Sequence, residues 1–305
     1  GIGKITQTLS LATLDSRLNY FNLKENIFCD ESPTPLTPDC YRRQSDLQFI
    51  AGNSKEILDQ NFPTHAVFFQ APLDYTEDRD RYGKTSQLLN ACGFYIEFGK
   101  DEDRPGFLSF LGSPLNARYR YRLMMMLVPF EKVNIFSTPD NNILSKKWYQ
   151  DDLKQYSHPL VENIVAMVVT CKRRDPSYGQ NSNGEFYLPV SSNESSYLYD
   201  SKTPPGKGNM QAESSNQLPP IVQITLVSID ETSARLLASS NDDQDPHLIP
   251  AGLFQDPIRY GDDMRELEEI LQAKVGNRSG NKVPCQYRIY SFDVNIQSSS
   301  WKSQS

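Results

Sequence analysis

The apolar residues of this chain fall into short runs, and none of these runs is long enough to cross a membrane. A membrane-spanning helix needs about 20 consecutive apolar residues, whereas the longest runs here have the length of strands. Gly, Pro or acidic clusters bound the runs, as is usual for strands. The 16 Tyr and 15 Phe also suit the half-buried surface of a sheet. These features predict a β-rich globular protein.

Seven segments have the pattern expected of strands: residues 46–52, 64–72, 92–99, 119–128, 160–170, 218–230 and 286–296. Residues 160–170 are the most apolar, and we expect them to form a turn that leads into a central strand. Helices are predicted for residues 262–275 and, as a short element, for residues 83–90. Because helices do not regularly separate the strands, the predicted class is α+β with mostly antiparallel pairing.

The first 22 residues predict an amphipathic helix. Its apolar side chains follow helical spacing, with Ile2, Ile5, Leu9, Leu11, Leu14 and Leu18 as the candidate subunit-interaction residues. The first residues are already in phase with this pattern. We therefore expect the helix to have extended further toward the N-terminus and an export or anchoring element to precede Gly1. A simple N-terminal packing helix fits the pattern equally well.

The remaining residues, 23–305, are predicted to form a single β-rich domain. Within it, residues 172–217 are rich in Ser, Asn, Gly, Pro and Tyr, which predicts a long polar excursion. The net charge of −7 and the scattered Lys and Arg exclude a phosphate-binding track for nucleic acid. Residues 118–122 alternate Arg and Tyr, so a strand would place three arginines on one face. That face is either an anion-binding stripe or an ordinary solvated strand face.

The five cysteines form no C-x-x-C pair, which gives no support to a zinc knuckle or a thioredoxin-like motif. Cys29 and Cys40 bracket a proline-rich segment, and a disulfide between them would staple that loop in an oxidising compartment. Cys92 and Cys171 lie in apolar runs and are expected to be buried. For Cys285 the sequence fits either a disulfide or a free thiol.

The sequence contains no recognisable catalytic apparatus. His65, His158 and His247 belong to no metalloprotease, nucleophile-elbow or P-loop motif. Acidic loops are frequent, and the best candidate for calcium is formed by Asp242, Asp243 and Asp245. That loop lacks the glycine and the distant glutamate of an EF-hand, so a solvated surface loop is the alternative. We predict no catalytic residues and no cofactor, with calcium as the one ion left open.

Several segments resemble the prepilin-type proteins of verrucomicrobial gene cassettes, specifically the "Verru_Chthon cassette protein C" type. They are residues 5–14, 43–49, 64–73, 88–98, 118–124, 216–227 and 287–301. They occur in the same order across nearly the whole chain, which is more specific than any single motif. Residues 160–170 and 218–230 are also similar to the C-terminal body of J-type minor pseudopilins of type II secretion.

The resemblance implies a structural subunit of a pilus-like or type II secretion-like assembly. It implies a prepilin leader and a long hydrophobic helix, embedded in the inner membrane before assembly and packed in a filament afterward. The implied partners are other pilin-like subunits, and the implied location is the periplasmic or extracellular face of the cell envelope. Two other functions compete with it. One is a surface or carbohydrate-binding module displayed on a filament, and the other is a hydrolase acting through clustered carboxylates.

Overall fold

The computed structural model describes residues 1–60, 62–100, 119–133, 148–151, 153–172, 196–202, 214–241, 245, 247–273 and 285–299. The helices are α1 (Ile2–Ser10), α2 (Ser54–Leu58), α3 (Arg79–Tyr82), α4 (Trp148–Asp151), α5 (Glu231–Asn241) and α6 (Tyr260–Ala273). The strands are β1 (Arg17–Asn22), β2 (Ile27–Phe28), β3 (Cys40–Gln44), β4 (Ile50–Asn53), β5 (His65–Pro72), β6 (Leu89–Lys100), β7 (Tyr119–Val128), β8 (Ser157–Glu162), β9 (Ile164–Lys172), β10 (Tyr199–Asp200), β11 (Ile221–Ile229) and β12 (Tyr287–Asn295).

The strands form three sheets. The large sheet has the order β10-β4-β5-β6-β7-β8, the second sheet has the order β12-β11-β9, and the N-terminal sheet has the order β2-β1-β3. All strand pairs among the described residues are antiparallel. The predicted α+β class with mostly antiparallel pairing is confirmed. Across these described ranges, no helix has both the length and the apolar character needed to cross a membrane.

The second sheet packs on one face of the large sheet. Its strand β9 contacts β4, β5, β6 and β7, so it crosses four strands of the large sheet. Residues 164–169 of β9 are all buried in the shared core. This burial explains why the segment is the most apolar of the chain. The predicted turn before it lies at Asn163, whose φ is +61°. β9 is, however, an end strand of its sheet, and β11 is the central one.

The opposite face of the large sheet is covered by short helical elements. Side chains of α2, of α4 and of Leu153 pack there against apolar side chains of β5, β6 and β7. Both faces of these central strands are therefore buried. A strand buried on both faces has a continuous apolar sequence rather than an alternating one. This is why β5 has only His65 and Gln70 as polar residues and the second half of β7 has none.

Gly93 of β6 lies opposite Phe68 of β5, and the Phe68 ring fills the space above it. Phe68 is fully buried and Tyr149 stacks on its ring with a centroid distance of 4.9 Å, so a shift of the ring would disturb this packing. We expect Gly93→Ala to lower the free energy of unfolding by about 2 kcal/mol, measured by urea denaturation. Gly3→Ala is the matched control because a Cβ atom at Gly3 meets nothing within 4 Å. Equal stabilities of the two variants would contradict this packing.

The prediction of a helix over residues 1–22 is wrong beyond Ser10. The chain leaves α1 at Leu11, Thr13 makes an isolated bridge to Gln70, and β1 follows. β1 pairs with β3 from Arg17 through Phe21, so strand pairing overrides the helical spacing of the apolar residues. Tyr and Phe in this stretch favour strands, which adds to that preference. The N-terminal helix is therefore nine residues long.

Two further predictions are the short helix at residues 83–90 and the polar excursion at residues 172–217. The helix predicted over residues 83–90 is wrong, because α3 ends at Tyr82, with Gly83 after it, and Leu89 already belongs to β6. The side chain of Asp78 accepts a hydrogen bond from the Arg81 amide and so fixes the start of α3 four residues earlier than expected. Most of the polar excursion at residues 172–217 lies outside the described residues. Inside it, β10 pairs with β4 at the edge of the large sheet.

Candidate interaction surfaces

Helix α1 has one face in the core of the protein and another face outside. Ile5 and Leu9 are fully buried between the sheets, while Leu11 and Leu14 are partly buried against the same core. Ile2 is 38% exposed. The helix contacts β5 and β12. Four of the six predicted interaction residues therefore pack in or against the core of their own chain. Ile2 follows the same helical stripe as Ile5 and Leu9 but is exposed at the start of the helix. The outer face carries Gly3, Lys4 and Gln7.

Leu18, the sixth of these residues, lies on β1 and is 70% exposed. Tyr20 lies two residues further along the same strand face, and Tyr41 of β3 is its direct partner across the sheet. The two tyrosine rings are 4.7 Å apart and tilted by 36°. A hydrogen bond between their phenol groups raises the pKa of Tyr41. We call these three residues, Leu18, Tyr20 and Tyr41, the tyrosine patch.

The tyrosine patch contains the three most exposed large hydrophobic side chains of the described residues. The other face of the same sheet is closed, because Phe21 is buried against Phe28 and the Arg42 guanidinium lies 4.1 Å from the centre of the Phe21 ring. Tyr20 and Tyr41 are not among the interaction residues predicted from the sequence. The signal that could have found them is the alternation of residues 17–22, which places Leu18 and Tyr20 on one strand face.

The predicted disulfide between Cys29 and Cys40 is absent, and all five cysteines carry free thiols. Cys40 is paired with Phe21 of β1, and the Cys29 amide donates to the Tyr20 carbonyl from the other side of β1. β1 therefore lies between the two cysteines. Two strand spacings amount to about 10 Å, whereas a disulfide requires Cα atoms within about 7 Å. The sheet order excludes this bridge.

The burial of the cysteines predicts how many thiols are accessible. Cys92, Cys171 and Cys285 are buried, as expected for the first two, and burial raises the pKa of Cys92 to about 12. Cys29 and Cys40 are partly exposed. We expect Ellman's reagent to titrate at most two thiols in the folded protein and all five after denaturation. Reaction of a third thiol in the folded protein would contradict this arrangement. A melting temperature that falls when a reductant is added would contradict it too, because it would indicate a disulfide.

The arginine run lies on β7, as the alternation predicted. Its described side chains, however, form neither an anion-binding stripe nor a solvated strand face. Arg120 is 7% exposed, and its Nη1 contacts Glu162 Oε2 at 2.5 Å and Glu231 Oε2 at 3.2 Å. Arg122 Nη2 contacts Glu97 Oε2 of the neighbouring strand at 3.1 Å. Arg118 lies outside the described residues. Arg120 and Arg122 are thus internal ion-pair partners, neither an anion-binding stripe nor a solvated face.

The calcium candidate is described only in part. Asp242 and Asp243 lie outside the described residues. Asp245 Oδ1 accepts a hydrogen bond from the Tyr121 hydroxyl at 2.5 Å and another from the His247 amide at 2.8 Å. Burial, together with the neighbouring Asp245, raises the pKa of Tyr121. In the part of the chain that the structure describes, no three His, Cys, Asp or Glu side chains converge as a metal site would require.

His65 is fully buried and has both ring nitrogens engaged. Nδ1 lies 3.0 Å from the Val169 amide and Nε2 lies 2.8 Å from the Phe254 carbonyl oxygen. Because an amide only donates and a carbonyl only accepts, Nε2 carries the proton and the ring is neutral. Burial lowers the pKa of His65 to about 4. Thr64 Oγ1 accepts from the Met167 amide beside it, so these two side chains cap the outer edge of β9.

Comparisons of the chain with family models, with curated proteins and with solved structures give no match.

Proposed function

We propose that the chain is a non-catalytic subunit of a pilus-like or type II secretion-like assembly of the cell envelope, similar to a minor pseudopilin. Other pilin-like subunits are its partners in this proposal. The observation that carries it is the two-sided arrangement of α1. One face of the helix is fixed in the core of the body, and the other face is open to a neighbour.

The inner face of α1 supplies the attachment. A nine-residue helix is only marginally stable by itself in water, so its packing against the sheets holds it in place. Burying Ile5 and Leu9 contributes about 1.5–3 kcal/mol for each side chain. A helix attached in this way moves with the body as one unit. A body that must hold a fixed orientation in an assembly needs this kind of attachment.

The outer face of α1 supplies the contact. It presents Gly3, Lys4 and Gln7, and Ile2 is exposed next to them at the start of the helix. Gly3 has open space where a Cβ atom would lie, so a neighbouring helix can approach the backbone closely there. The tyrosine patch adds an exposed apolar surface on the N-terminal sheet. Exposed apolar clusters of this kind are typical of interaction sites.

The coding sequence directly upstream of the Gly1 codon tests the proposal. We expect it to encode a prepilin leader and a hydrophobic segment whose apolar residues continue the phase of Ile2, Ile5 and Leu9. We also expect the full-length product in the membrane fraction of the producing cells. An upstream region that encodes an unrelated domain, or a full-length product found only in the cytoplasmic fraction, would contradict the proposal.

A further inference from the structure

Strand β12 forms an edge of the second sheet and pairs with β11 over nine residues without a register shift. At one end of this pairing, the Asp230 amide donates to the Gln286 carbonyl at 3.0 Å. At the other end, the Ile296 amide donates to the Pro220 carbonyl at 3.1 Å. Because the bonding direction alternates along an antiparallel strand, the even-numbered residues of β12 bond to β11. The N–H and C=O groups of the odd-numbered residues point outward instead: Tyr287, Ile289, Ser291, Asp293 and Asn295.

The strands at the other sheet edges are short, interrupted or capped. β2 and β10 have two residues each. β8 contains Pro159, which lacks an amide hydrogen, and the register of its pairing with β7 shifts next to it. The Asn216 side chain donates to the Arg43 carbonyl on the outer edge of β3, and Thr64 and His65 cap β9. Features of this kind prevent a further strand from pairing. β12 has none of them, so its edge is open.

The open edge of β12 requires an extended partner. In the part of the chain that the structure describes, the outward backbone groups of β12 have no hydrogen-bond partner. Ile289 and Tyr290 lie on opposite faces of the strand and are 37% and 38% exposed. A further strand would satisfy the backbone groups and cover both side chains. Strand addition at a sheet edge takes its affinity from main-chain hydrogen bonds in the same way.

We infer that β12 pairs with β12 of a second copy of this chain, antiparallel and about a two-fold axis at Ser291. The two second sheets then join into one sheet with the order β9-β11-β12-β12-β11-β9. The same surface is used by both copies, so the contact is isologous and closes at the dimer. The inference goes beyond the proposed function, because it rests on the edge of this strand alone.

The sequence of β12 fits itself in this register. Ser291 is the middle residue of the strand, so an axis there pairs every outward residue with an outward residue of the second copy. An axis at Tyr290 or Phe292 would leave outward groups unpaired at one end. With the axis at Ser291, Tyr290 of each copy lies opposite Phe292 of the other. These are non-hydrogen-bonded positions, where side chains approach most closely, and aromatic cross-strand pairs there stabilise a sheet.

The two charged residues of β12 are also compatible with this register. Like charges directly opposite each other destabilise a sheet. Arg288 lies opposite Val294 of the second copy, and Asp293 lies opposite Ile289, so neither charge faces its own counterpart. Asp293 Oδ1 also lies 3.8 Å from Lys172 Nζ of the same chain. Its charge is therefore compensated within the subunit before the two strands meet.

Sedimentation velocity with two variants of one residue tests the pairing. Proline at position 291 removes an outward amide hydrogen and no bond to β11. Both Ser291→Pro and Ser291→Ala lose the contact of the hydroxyl with Thr225 Oγ1, so they differ in the outward amide. We expect the unchanged protein and Ser291→Ala to form dimers and nothing larger. Ser291→Pro should weaken the dimer by about 100-fold or more, because two central hydrogen bonds are lost and their carbonyl groups stay unpaired.

Cysteine pairs test the partner and the register without relying on the proline variant. Directly opposite non-hydrogen-bonded residues have Cα atoms about 4.5 Å apart, which suits a disulfide. After mild oxidation, a mixture of Tyr290→Cys and Phe292→Cys should therefore give a disulfide-linked dimer. Each variant alone should give much less, and the unchanged protein under the same oxidation measures the background from its own thiols.

Four results would overturn the inference. They are an unchanged protein that stays monomeric up to about 1 mM, species that continue to grow beyond the dimer, a folded Ser291→Pro protein that dimerises as well as Ser291→Ala, and linked dimers that form equally from either cysteine variant alone. Circular dichroism melts verify that each variant is folded. None of these results depends on the coding sequence upstream of Gly1, which tests the proposed function separately.

Discussion

Replacing both Glu162 and Glu231 by Met should destabilise the protein by about 3 kcal/mol or more, a larger effect than replacing Arg120 by Met. Arg120 is almost fully buried between β8 and the start of α5, and both glutamates contact its guanidinium. The glutamates themselves are 49% and 41% exposed, so water can solvate them when the arginine is removed. The buried arginine has no such access to water. Urea denaturation at neutral pH measures the difference.

Two further variants make this prediction specific. Adding Arg120→Met to the double variant should recover at least half of the lost stability, because an apolar cluster replaces a buried charge. Arg235→Met is the matched control, since Arg235 also pairs with Glu231 but is 60% exposed, and it should change stability by at most about 0.5 kcal/mol. A double variant within about 1 kcal/mol of the unchanged protein would show that Arg120 is not stabilised by these carboxylates.

Acidification from pH 6.5 to pH 4 should remove about 3 kcal/mol of stability through His65 alone. The pKa of His65 is about 4 in the folded protein and 6.5 in the unfolded chain. The unfolded chain therefore binds the proton more readily. The contribution of His65 is complete above pH 6.5, and it is lost progressively as the pH falls toward 4. Protonation would place a second donor opposite the Val169 amide, which itself only donates.

The variant His65→Gln isolates this contribution from the other titrating groups. Gln cannot gain a proton in this range, so its unfolding free energy should depend less on pH between 6.5 and 4. The variant should be less stable than the unchanged protein at pH 7, because one side-chain amide cannot reproduce both hydrogen bonds in their places. Parallel curves of stability against pH for the two proteins would be incompatible with a neutral buried His65.

The central strands could be predicted from sequence because their environment leaves a local signal. β7 matches the predicted residues 119–128, and β5 and β11 lie within the predicted segments. Strands buried on both faces combine continuous apolar sequence with turn residues at each end. The pairing order could not be predicted in the same way. The packing of β9 across four strands depends on contacts between residues that are distant in sequence.

Residues 11–22 were misassigned because two periodicities coincide there. Leu11, Leu14, Leu18 and Phe21 match helical spacing, whereas residues 17–22 also alternate as a strand. The partner strand decides between them, and β3 reads Cys-Tyr-Arg-Arg-Gln, which carries little apolar signal. Strand formation in such a segment depends on tertiary pairing more than on local preference.

The candidate surfaces were only partly predictable for a related reason. The sequence indicated the apolar residues of the N-terminal segment, but which of them are open depends on where α1 ends. The ion pairing of Arg120 on β7 depends in part on Glu231, more than one hundred residues away in the chain. Burial and partners of single side chains are set by the assembled sheets rather than by neighbouring residues.

Photo-crosslinking in the producing cells tests the central claim most directly. A photo-reactive amino acid replaces Gln7, on the exposed face of α1, and in a parallel variant it replaces Glu269, on the exposed face of α6. If the chain is a subunit of a pilus-like assembly, the probe at position 7 should couple it to proteins that carry prepilin leaders, and the probe at position 269 should do so much less. Equal coupling from both positions, or coupling from position 7 only to proteins without such leaders, would contradict the claim.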